Sequence, residues 1–197
     1  MSWPIRAKIA FVGSHGVRKT AAVASFAAAL SRAGRSWELM REVVRDSPLG
    51  INEGASPEAQ LWVLVTQIQH ELERANKADI LVTDRAVMDN YAYLLRASGG
   101  ADPFSIEPLI HSWSSTYNLV VRLLPDVALR ADGVRSTSDA FRDEIEAILD
   151  DVLPRFVAPE RIVALPASLV TRTHDWFPLA EQLAQQVGQP LMDFSEE

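Results

Sequence analysis

The feature that most constrains this chain is an apolar run that breaks into a glycine-rich turn, at residues 8–20 (KIAFVGSHGVRKT). The continuously apolar segment 9–12 is typical of a central parallel strand that is buried on both faces. Over residues 19–33 apolar positions recur at helical spacing, and Gly34 follows as a C-terminal glycine. Strand, glycine loop and helix therefore come in the order of the phosphate-binding loop, GxxxxGK[ST].

The residue types of this loop suit the binding of ATP. Backbone N–H groups that converge at a helix N-terminus bind phosphate oxygens, and the helix dipole favours negative charge there. Lys19 would place its charge on the β- and γ-phosphates, and the hydroxyl of Thr20 would bind Mg²⁺. The expected nucleotide-binding residues are Gly13, Ser14, His15, Gly16, Val17, Arg18, Lys19 and Thr20.

One position of the loop departs from the motif. Arg18 stands where the motif has the glycine that precedes the lysine. Glycine adopts positive φ angles at no steric cost, whereas a larger residue must either accept strain or change the loop. We expect such a change to weaken ATP binding, and the sequence leaves open whether Arg18 impairs or serves catalysis.

Length, charge and cysteine content bound the class of protein. A chain of 197 residues with 48% hydrophobic content predicts one α/β domain over residues 1–197. A net charge of −7 and a pI near 5.1 argue against general attraction to nucleic acid or to an anionic membrane. The chain has no cysteine for disulfides, and no basic-then-apolar leader is visible. We therefore expect a cytoplasmic protein.

Two carboxylates follow apolar segments that read as strands. Residues 36–44 (SWELMREVV) predict a second strand with Glu42 near its C-terminal end, and the loop 46–56 lies beyond it. Residues 80–82 predict a third strand that ends in Thr83 and Asp84, a Walker B pattern, with Arg85 directly after. Ligands of open parallel sheets bind at this end of the strands. Asp84 either holds Mg²⁺ or takes a proton from an attacking hydroxyl, and the motif alone does not separate these roles.

A long helix is predicted between these two strands, from a Ser56 N-cap to about Lys77. Gln67, His70 and Glu71 read as ordinary flank residues of this helix, and no metal-ligand spacing joins them. Its expected apolar face comprises Leu61, Leu64, Val65, Ile68 and Leu72.

The remaining segments continue the alternation of helices and strands. Helices are predicted at 87–97, 102–115, 138–156 and 175–187, and strands at 119–124 and 162–165. Arg130, Arg135 and Arg142 flank a turn before the 138–156 helix. Guanidinium groups there could clamp phosphates, because they bind phosphate bidentately, or they could pair with neighbouring acidic residues on a solvated face.

Three blocks of the sequence resemble P-loop small-molecule kinases: GSHGVRKT, LVTDRAVMDNYAYL and DGVRSTSDAFRDEIEAIL, in that order. The chain is most similar to the AAA/ATPase-type kinase domain of bacterial nicotinamide riboside kinase, and more distantly to thymidylate and deoxynucleoside kinases. The resemblance implies a P-loop NTPase three-layer αβα sandwich with a five-stranded parallel sheet in the order 2-3-1-4-5. It also implies an arginine-bearing lid at about 129–142.

The same resemblance implies roles for single residues. Glu42 matches the acidic residue that contacts or deprotonates the acceptor hydroxyl, and Asp84 and Arg85 match the Asp-Arg pair of the family. Arg135 and Arg142 match lid arginines. The expected catalytic residues are thus Lys19, Glu42, Asp84, Arg85, Arg135 and Arg142, with Thr20 and Asp84 as metal ligands.

The implied reaction is Mg²⁺-dependent transfer of a phosphoryl group from ATP to a nucleoside- or nucleotide-like small molecule. Two alternatives remain open. One is a kinase acting on a modified base within DNA, which the acidic net charge disfavours. The other is a nucleotide-binding regulator in which Arg18 has removed turnover. The sequence carries no signal for the oligomeric state, and it is compatible with a homodimer.

Overall fold

The computed structural model describes residues 7–129 and 137–187. Within these residues one sheet is formed by β1 (Ala7–Val12), β2 (Trp37–Met40), β3 (Ile80–Asp84), β4 (Leu119–Leu124) and β5 (Ile162–Pro166). All neighbouring strands pair in parallel, and their spatial order is β2-β3-β1-β4-β5. The predicted strand order is therefore confirmed.

Helices cover both faces of this sheet. They are α1 (Lys19–Arg32), α2 (Pro57–Arg74), α3 (Val87–Ala97), α4 (Glu107–Ser114), α5 (Asp139–Phe156) and α6 (Thr173–Gln186). Ile9 and Phe11 of β1 belong to one hydrophobic cluster, together with Phe26 of α1 and Trp176 of α6. Ala10 points the other way and packs in a second cluster, which α3 and α5 complete. The alternation of adjacent β1 residues between two cores gives the three-layer αβα sandwich that the sequence predicts.

The register of the central strands positions the candidate site. Phe11 of β1 pairs with Asp84 of β3, and Met40 of β2 pairs with Thr83. Because the strands are parallel, the loops after β1, β2 and β3 leave the sheet at the same edge.

The second strand is shorter than its sequence predicts. The expected strand covered residues 36–44, whereas β2 ends at Met40 and Val44–Asp46 forms a 3₁₀ turn. The pairing of β2 with β3 stops at the Met40 and Thr83 pair. Glu42 consequently lies in the loop that follows the strand, and its side chain contacts Arg85 directly after β3.

The helix predicted from residue 102 begins later. Asp102 accepts hydrogen bonds from the backbone N–H groups of Phe104 (3.3 Å) and Glu107 (2.9 Å). These bonds hold the backbone in a turn, since an aspartate side chain competes for local N–H groups. The helix α4 therefore starts at Glu107.

The buried face of α2 differs from the apolar face predicted for it. Ser56 caps the helix as expected, by accepting from the N–H of Ala59. Val65 and Leu72, however, are 45% and 53% exposed. The buried positions are Ala59, Gln60, Val63, Leu64, Gln67 and Glu71.

The predicted lid segment at 129–142 is only partly within the described residues. Arg130 and Arg135 lie outside them. The hydroxyl of Ser138 accepts a hydrogen bond from the N–H of Phe141 and caps α5. Arg142 therefore belongs to the first turn of α5.

Candidate active site

The loop between β1 and α1 has the close backbone packing of a phosphate-binding loop. Gly13 has a φ of 141° and Gly16 a φ of 80°. A Cβ atom at Gly13 would lie 2.6 Å from the carbonyl oxygen of Leu123, and one at Gly16 would collide with the Leu129 side chain. Gly13 is thus required by its conformation and by the backbone opposite it, whereas Gly16 is required by its positive φ, because the Leu129 side chain can move aside.

Arg18 adopts the conformation that a glycine would favour. Its φ and ψ angles are 60° and 27°, in the left-handed region, and it is the N-cap residue of α1. Its carbonyl accepts the hydrogen bond from the Ala22 N–H that opens the helix. The loop is therefore strained at this residue, at a cost of about 1–2 kcal/mol for a non-glycine residue.

Lys19 is buried at the start of α1 and turns back towards the loop. Its Nζ donates to the carbonyl oxygens of Gly13 and Ser14, both at 2.7 Å. Burial is the main cause that lowers the pKa of Lys19 to about 8, and the positive charge of Arg85 acts in the same direction, against nearby carboxylates. The ammonium group is thus held by carbonyl dipoles at the centre of the loop.

The other residues of the loop contact different parts of the structure. The N–H of Ser14 donates to Oε1 of Glu146 on α5, at 2.9 Å. Val17 packs in the hydrophobic core below α1. His15 stacks on the ring of Phe141, with centroids 5.1 Å apart.

Asp84 and Thr20 lie side by side at the edge of the sheet. Thr20 Oγ1 donates to Asp84 Oδ2 at 2.6 Å. The second oxygen of Asp84, Oδ1, is buried and has no hydrogen-bond partner in the described part of the chain. Buried carboxylate oxygens normally have partners, so Oδ1 of Asp84 is suited to contact a cation or a hydrogen-bond donor of a ligand.

The hydroxyl oxygen of Thr20 and the carboxylate of Asp84 fit a Mg²⁺ ion that is held jointly with a nucleotide. Mg²⁺ is usually bound through one or two protein groups, substrate phosphates and several waters. Across residues 7–129 and 137–187, no group of three or more His, Cys, Asp or Glu side chains could hold a metal alone. The donor set of Thr20 and Asp84 therefore suits Mg²⁺ bound together with a nucleotide.

Arg85 connects the end of β3 to the loop after β2. Its Nε donates to Glu42 Oε1 at 2.6 Å, and its Nη1 lies 3.3 Å from Asp89 Oδ1. The guanidinium also lies 4.6 Å from the centre of the Tyr93 ring. Arg85 has a φ of 95°, a conformation that is strained for a non-glycine residue and is typical of functional sites.

Asp89 is a buried carboxylate that sequence reasoning did not single out. Burial raises the pKa of Asp89 to about 6, and the charges of Arg85 and Lys19 oppose that rise. It lies in the first turn of α3, four residues after Arg85, which precedes the helix. In the sequence, the position of an acidic residue four places after Arg85 was the signal that could have identified Asp89.

A cavity of about 30 Å³ opens beside the Glu42 and Arg85 pair. It is narrow, with room for water-sized molecules in this conformation. Its lining residues are His15, Glu42, Val44, Arg45, Ile51, Asn52, Gln60, Val63, Arg85, Asn90, Tyr93 and Phe141. The loop 46–56 contributes Ile51 and Asn52 to this lining.

Of the arginines predicted to bind phosphate, Arg142 lies within the described residues, and its guanidinium contacts other groups of the protein. Its Nη1 donates to the carbonyl oxygen of Val127 at 3.0 Å, and its Nη2 lies 2.8 Å from Asp139 Oδ1. The structure thus brings Lys19, Glu42, Asp84 and Arg85 together with Thr20. It places Arg142 at the start of α5, while Arg130 and Arg135 lie outside the described residues.

The strand order, together with the glycine loop and the polar residues at the C-terminal ends of the strands, defines a P-loop kinase-like fold. A family model described as an AAA domain matches residues 8–172. The chain therefore belongs to this AAA-domain family. None of the curated proteins is a detectable sequence match to the chain.

Solved structures agree with the fold. Thymidylate kinase from Ehrlichia chaffeensis has a TM-score of 0.64 at 18% identity, covering 93% of this chain and 98% of its own. Deoxyadenosine kinase from M. mycoides, solved with bound dATP, has a TM-score of 0.58 at 14% identity and covers 90% and 98%. NadR protein in complex with NR has a TM-score of 0.67 at 15% identity and covers 96% of this chain and 54% of its own. At identities this low, the structural likeness shows a shared fold and no more.

Among the described helices, none combines the length and the apolar character needed to cross a membrane.

Proposed function

We propose that this protein transfers the γ-phosphoryl group of ATP, with Mg²⁺, to a hydroxyl group of a nucleoside-like small molecule. The observation that carries the proposal is the buried Glu42 and Arg85 ion pair, 2.6 Å apart, at the sheet edge where the phosphate loop also ends. A carboxylate that is fixed beside a phosphate loop is suited to receive the proton of an attacking hydroxyl. The kinase folds of the structural neighbours support this class of reaction.

The loop after β1 supplies the donor side. The backbone N–H groups at the start of α1 would bind phosphate oxygens, and Lys19 would exchange its two carbonyl partners for the β- and γ-phosphates. Thr20 and Asp84 would hold Mg²⁺, which neutralises phosphate charge when it is bound. Arg142, with Arg130 and Arg135 of the predicted lid, would meet the charge on the transferred group.

The loop after β2 supplies the acceptor side. Arg85 fixes Glu42 through Oε1, so that the carboxylate can accept the proton of the acceptor hydroxyl. The acceptor oxygen then forms a bond to the γ-phosphorus, and the bond from that phosphorus to the β,γ-bridging oxygen breaks. The products are ADP, a phosphomonoester and a proton on Glu42.

The acceptor side favours a hydroxyl over a phosphate as acceptor, because it offers a proton acceptor. Arg85 lies between two carboxylates, Glu42 and Asp89, and Nε of Arg45 lies 3.9 Å from Oε2 of Glu42. These two positive and two negative groups leave little net charge. A hydroxyl must lose a proton when it attacks, whereas a phosphate dianion has no proton to lose, so a carboxylate at this position serves a hydroxyl acceptor.

A second candidate is a nucleotide-binding regulator with little turnover. The observation that favours it is Arg18, which holds a left-handed conformation at the position of the motif glycine. A strained loop can bind nucleotide and still misplace the γ-phosphate, since a displacement of about 1 Å can cost 10²-fold in rate.

One experiment tests these candidates together. The protein is incubated with Mg²⁺ and γ-labelled ATP against nucleosides, nucleoside monophosphates, pyridine ribosides and a DNA duplex with modified bases, with Lys19→Ala as the inactive control. Label in a nucleoside or pyridine riboside supports the proposal. Label in a monophosphate or in DNA contradicts the choice of acceptor, and calorimetric ATP binding without labelled product supports the regulator.

A further inference from the structure

Two buried polar side chains of the cavity have no hydrogen-bond partner in the described residues. His15 is 4% exposed and neither of its ring nitrogens is bonded, and Asn90 is 2% exposed with an unbonded amide nitrogen. A buried polar group left without a partner costs about 1–3 kcal/mol. Both residues line the cavity that also contains Glu42 and Arg85. Two such groups on one cavity suit a polar ligand, which must widen the cavity from its volume of about 30 Å³ in this conformation.

The ring of His15 is held against the wall of this cavity. It stacks on Phe141 with centroids 5.1 Å apart and an interplanar angle of 25°. Phe141 is fixed in turn by the edge of Tyr93, at 6.0 Å, and by the guanidinium of Arg96, at 4.7 Å from the ring centre. His15 therefore belongs to the phosphate loop by sequence, while its side chain belongs to the acceptor cavity.

The surroundings of His15 keep its ring neutral. Burial is the main cause that lowers the pKa of His15 to about 4, and the charges of Lys19, Arg85 and Arg142 act in the same direction, against the opposing charge of Glu53. A neutral imidazole offers one N–H donor and one acceptor nitrogen. Asn90 adds an N–H₂ donor.

This combination selects the chemistry of the ligand. A hydroxyl group both donates and accepts, so neighbouring hydroxyls can satisfy the two imidazole nitrogens and the amide together. A carbonyl edge would leave the acceptor nitrogen of His15 without a partner. Because His15 lies four residues before Lys19, its partner is expected close to the transferred phosphoryl group rather than at the far end of the ligand.

We propose that His15 and Asn90 bind pentose hydroxyls of the phosphoryl acceptor, next to the hydroxyl that reacts. This inference rests on the proposed function. It assigns His15 to the acceptor, whereas its place in the loop motif assigns it to ATP.

The first test separates acceptor from donor. His15→Phe keeps the ring that stacks on Phe141 and removes both nitrogens, and His111→Phe on α4 is a matched control outside the cavity. We expect His15→Phe and Asn90→Ala each to raise the acceptor KM about tenfold, the value of roughly one good hydrogen bond. The calorimetric Kd for Mg·ATP should stay within about twofold. A weaker Mg·ATP affinity with an unchanged acceptor KM would overturn the assignment.

The second test identifies the hydroxyls. The wild type and His15→Phe are compared on the acceptor and on its analogues that lack single pentose hydroxyls. Removal of the hydroxyl that binds His15 should raise the KM of the wild type about tenfold and leave that of His15→Phe nearly unchanged. Strictly additive losses for every hydroxyl would show that His15 touches none of them.

The outcome remains decisive if no acceptor is phosphorylated. In that case the proposed function fails, and calorimetry with nucleosides and pyridine ribosides, in the presence of Mg²⁺ and a non-hydrolysable ATP analogue, replaces kinetics. Binding that His15→Phe weakens about tenfold supports the hydroxyl site without turnover. No binding, or binding equal in wild type and variant, overturns it.

Discussion

Thr20 Oγ1 donates a hydrogen bond to Asp84 Oδ2 over 2.6 Å, which joins the first turn of α1 to the end of β3. The two residues are distant in sequence, and the parallel pairing of β1 with β3 brings them together. Asp84 keeps its other oxygen buried without a partner in the described part of the chain. A cation bound at Oδ1 of Asp84 would lie beside this pair, and that expectation leads to the first prediction.

Asp84→Asn is expected to lower phosphoryl transfer at least tenfold, because an amide is a weaker ligand for a hard cation than a carboxylate. High Mg²⁺ should restore part of the rate. The measurement is kcat against Mg²⁺ concentration, with Asp79→Asn, just before β3, as a control that should behave like the wild type. A loss that Mg²⁺ does not relieve would argue for a role in proton transfer instead.

Glu42→Gln is expected to lower kcat about 10² to 10⁴-fold at every Mg²⁺ concentration, the usual contribution of general acid–base groups. The variant also removes the charge that faces Arg85, so thermal unfolding must show that the protein stays folded. Glu38→Gln on β2 serves as the control, because Glu38 pairs with Arg74 on the outside of the sheet. If Glu42→Gln lost less than tenfold, the residue would be a structural partner of Arg85.

Lys19 should take up a proton when ATP binds. Its pKa is lowered to about 8 in the free protein, and nearby phosphates favour the charged form and raise it. At pH 8.5 about a quarter of the free lysine is protonated, so binding should take up about 0.8 proton. At pH 7.0 the group is already protonated in large part, and uptake should be near 0.1. Calorimetry in buffers of different ionisation enthalpy measures both values, and equal uptake at the two pH values would contradict the assignment to Lys19.

The sequence predicted the parts of the fold that local pattern controls. The apolar run before Gly13 and the helical spacing after Lys19 gave β1 and α1 closely. The end of β3 at Asp84 was found because polar residues follow an apolar segment there, whereas Glu42 lies beyond Met40, where β2 ends. The resemblance to P-loop kinases supplied the strand order, which no local pattern contains.

Other parts could not be predicted, because their partners are remote. Gln67 and Glu71 looked like solvated flank residues of α2 and are fully buried. Glu71 accepts hydrogen bonds from Lys8, Trp113 and Tyr117, which are remote in sequence, and from Gln67 on the same helix. Similarly, His15 faces the acceptor cavity because Phe141 of α5 meets it, a contact that the phosphate-loop motif does not encode.

The same buried network predicts an effect of Tyr117 on stability. The Tyr117 hydroxyl donates to Glu71 at 2.7 Å and accepts from the N–H of Val87 at 3.2 Å. Tyr117→Phe leaves that N–H and the carboxylate each short of a partner, so the free energy of unfolding should fall by about 1–3 kcal/mol. Urea unfolding measures it, with Tyr91→Phe as a control whose hydroxyl makes one long bond to Glu107, at 3.4 Å. Equal losses in the two variants would show that the network adds nothing.

Arg18→Gly should stabilise the protein by about 1 kcal/mol, because glycine adopts the left-handed conformation of residue 18 without strain. It should also bind Mg·ATP more tightly than the wild type, since a non-glycine residue is confined to a small left-handed region and restricts how the loop adjusts around phosphate.

Arg18→Ala separates the backbone from the guanidinium, because alanine keeps the strain and removes the charge. If strain limits binding, alanine and wild type should have similar calorimetric Kd values and glycine a lower one. If instead alanine binds more weakly than the wild type, and the wild type turns over faster than the glycine variant, the guanidinium is a working part of the donor site. Arg18 would then supply positive charge to the phosphates, and the departure from the motif would serve catalysis.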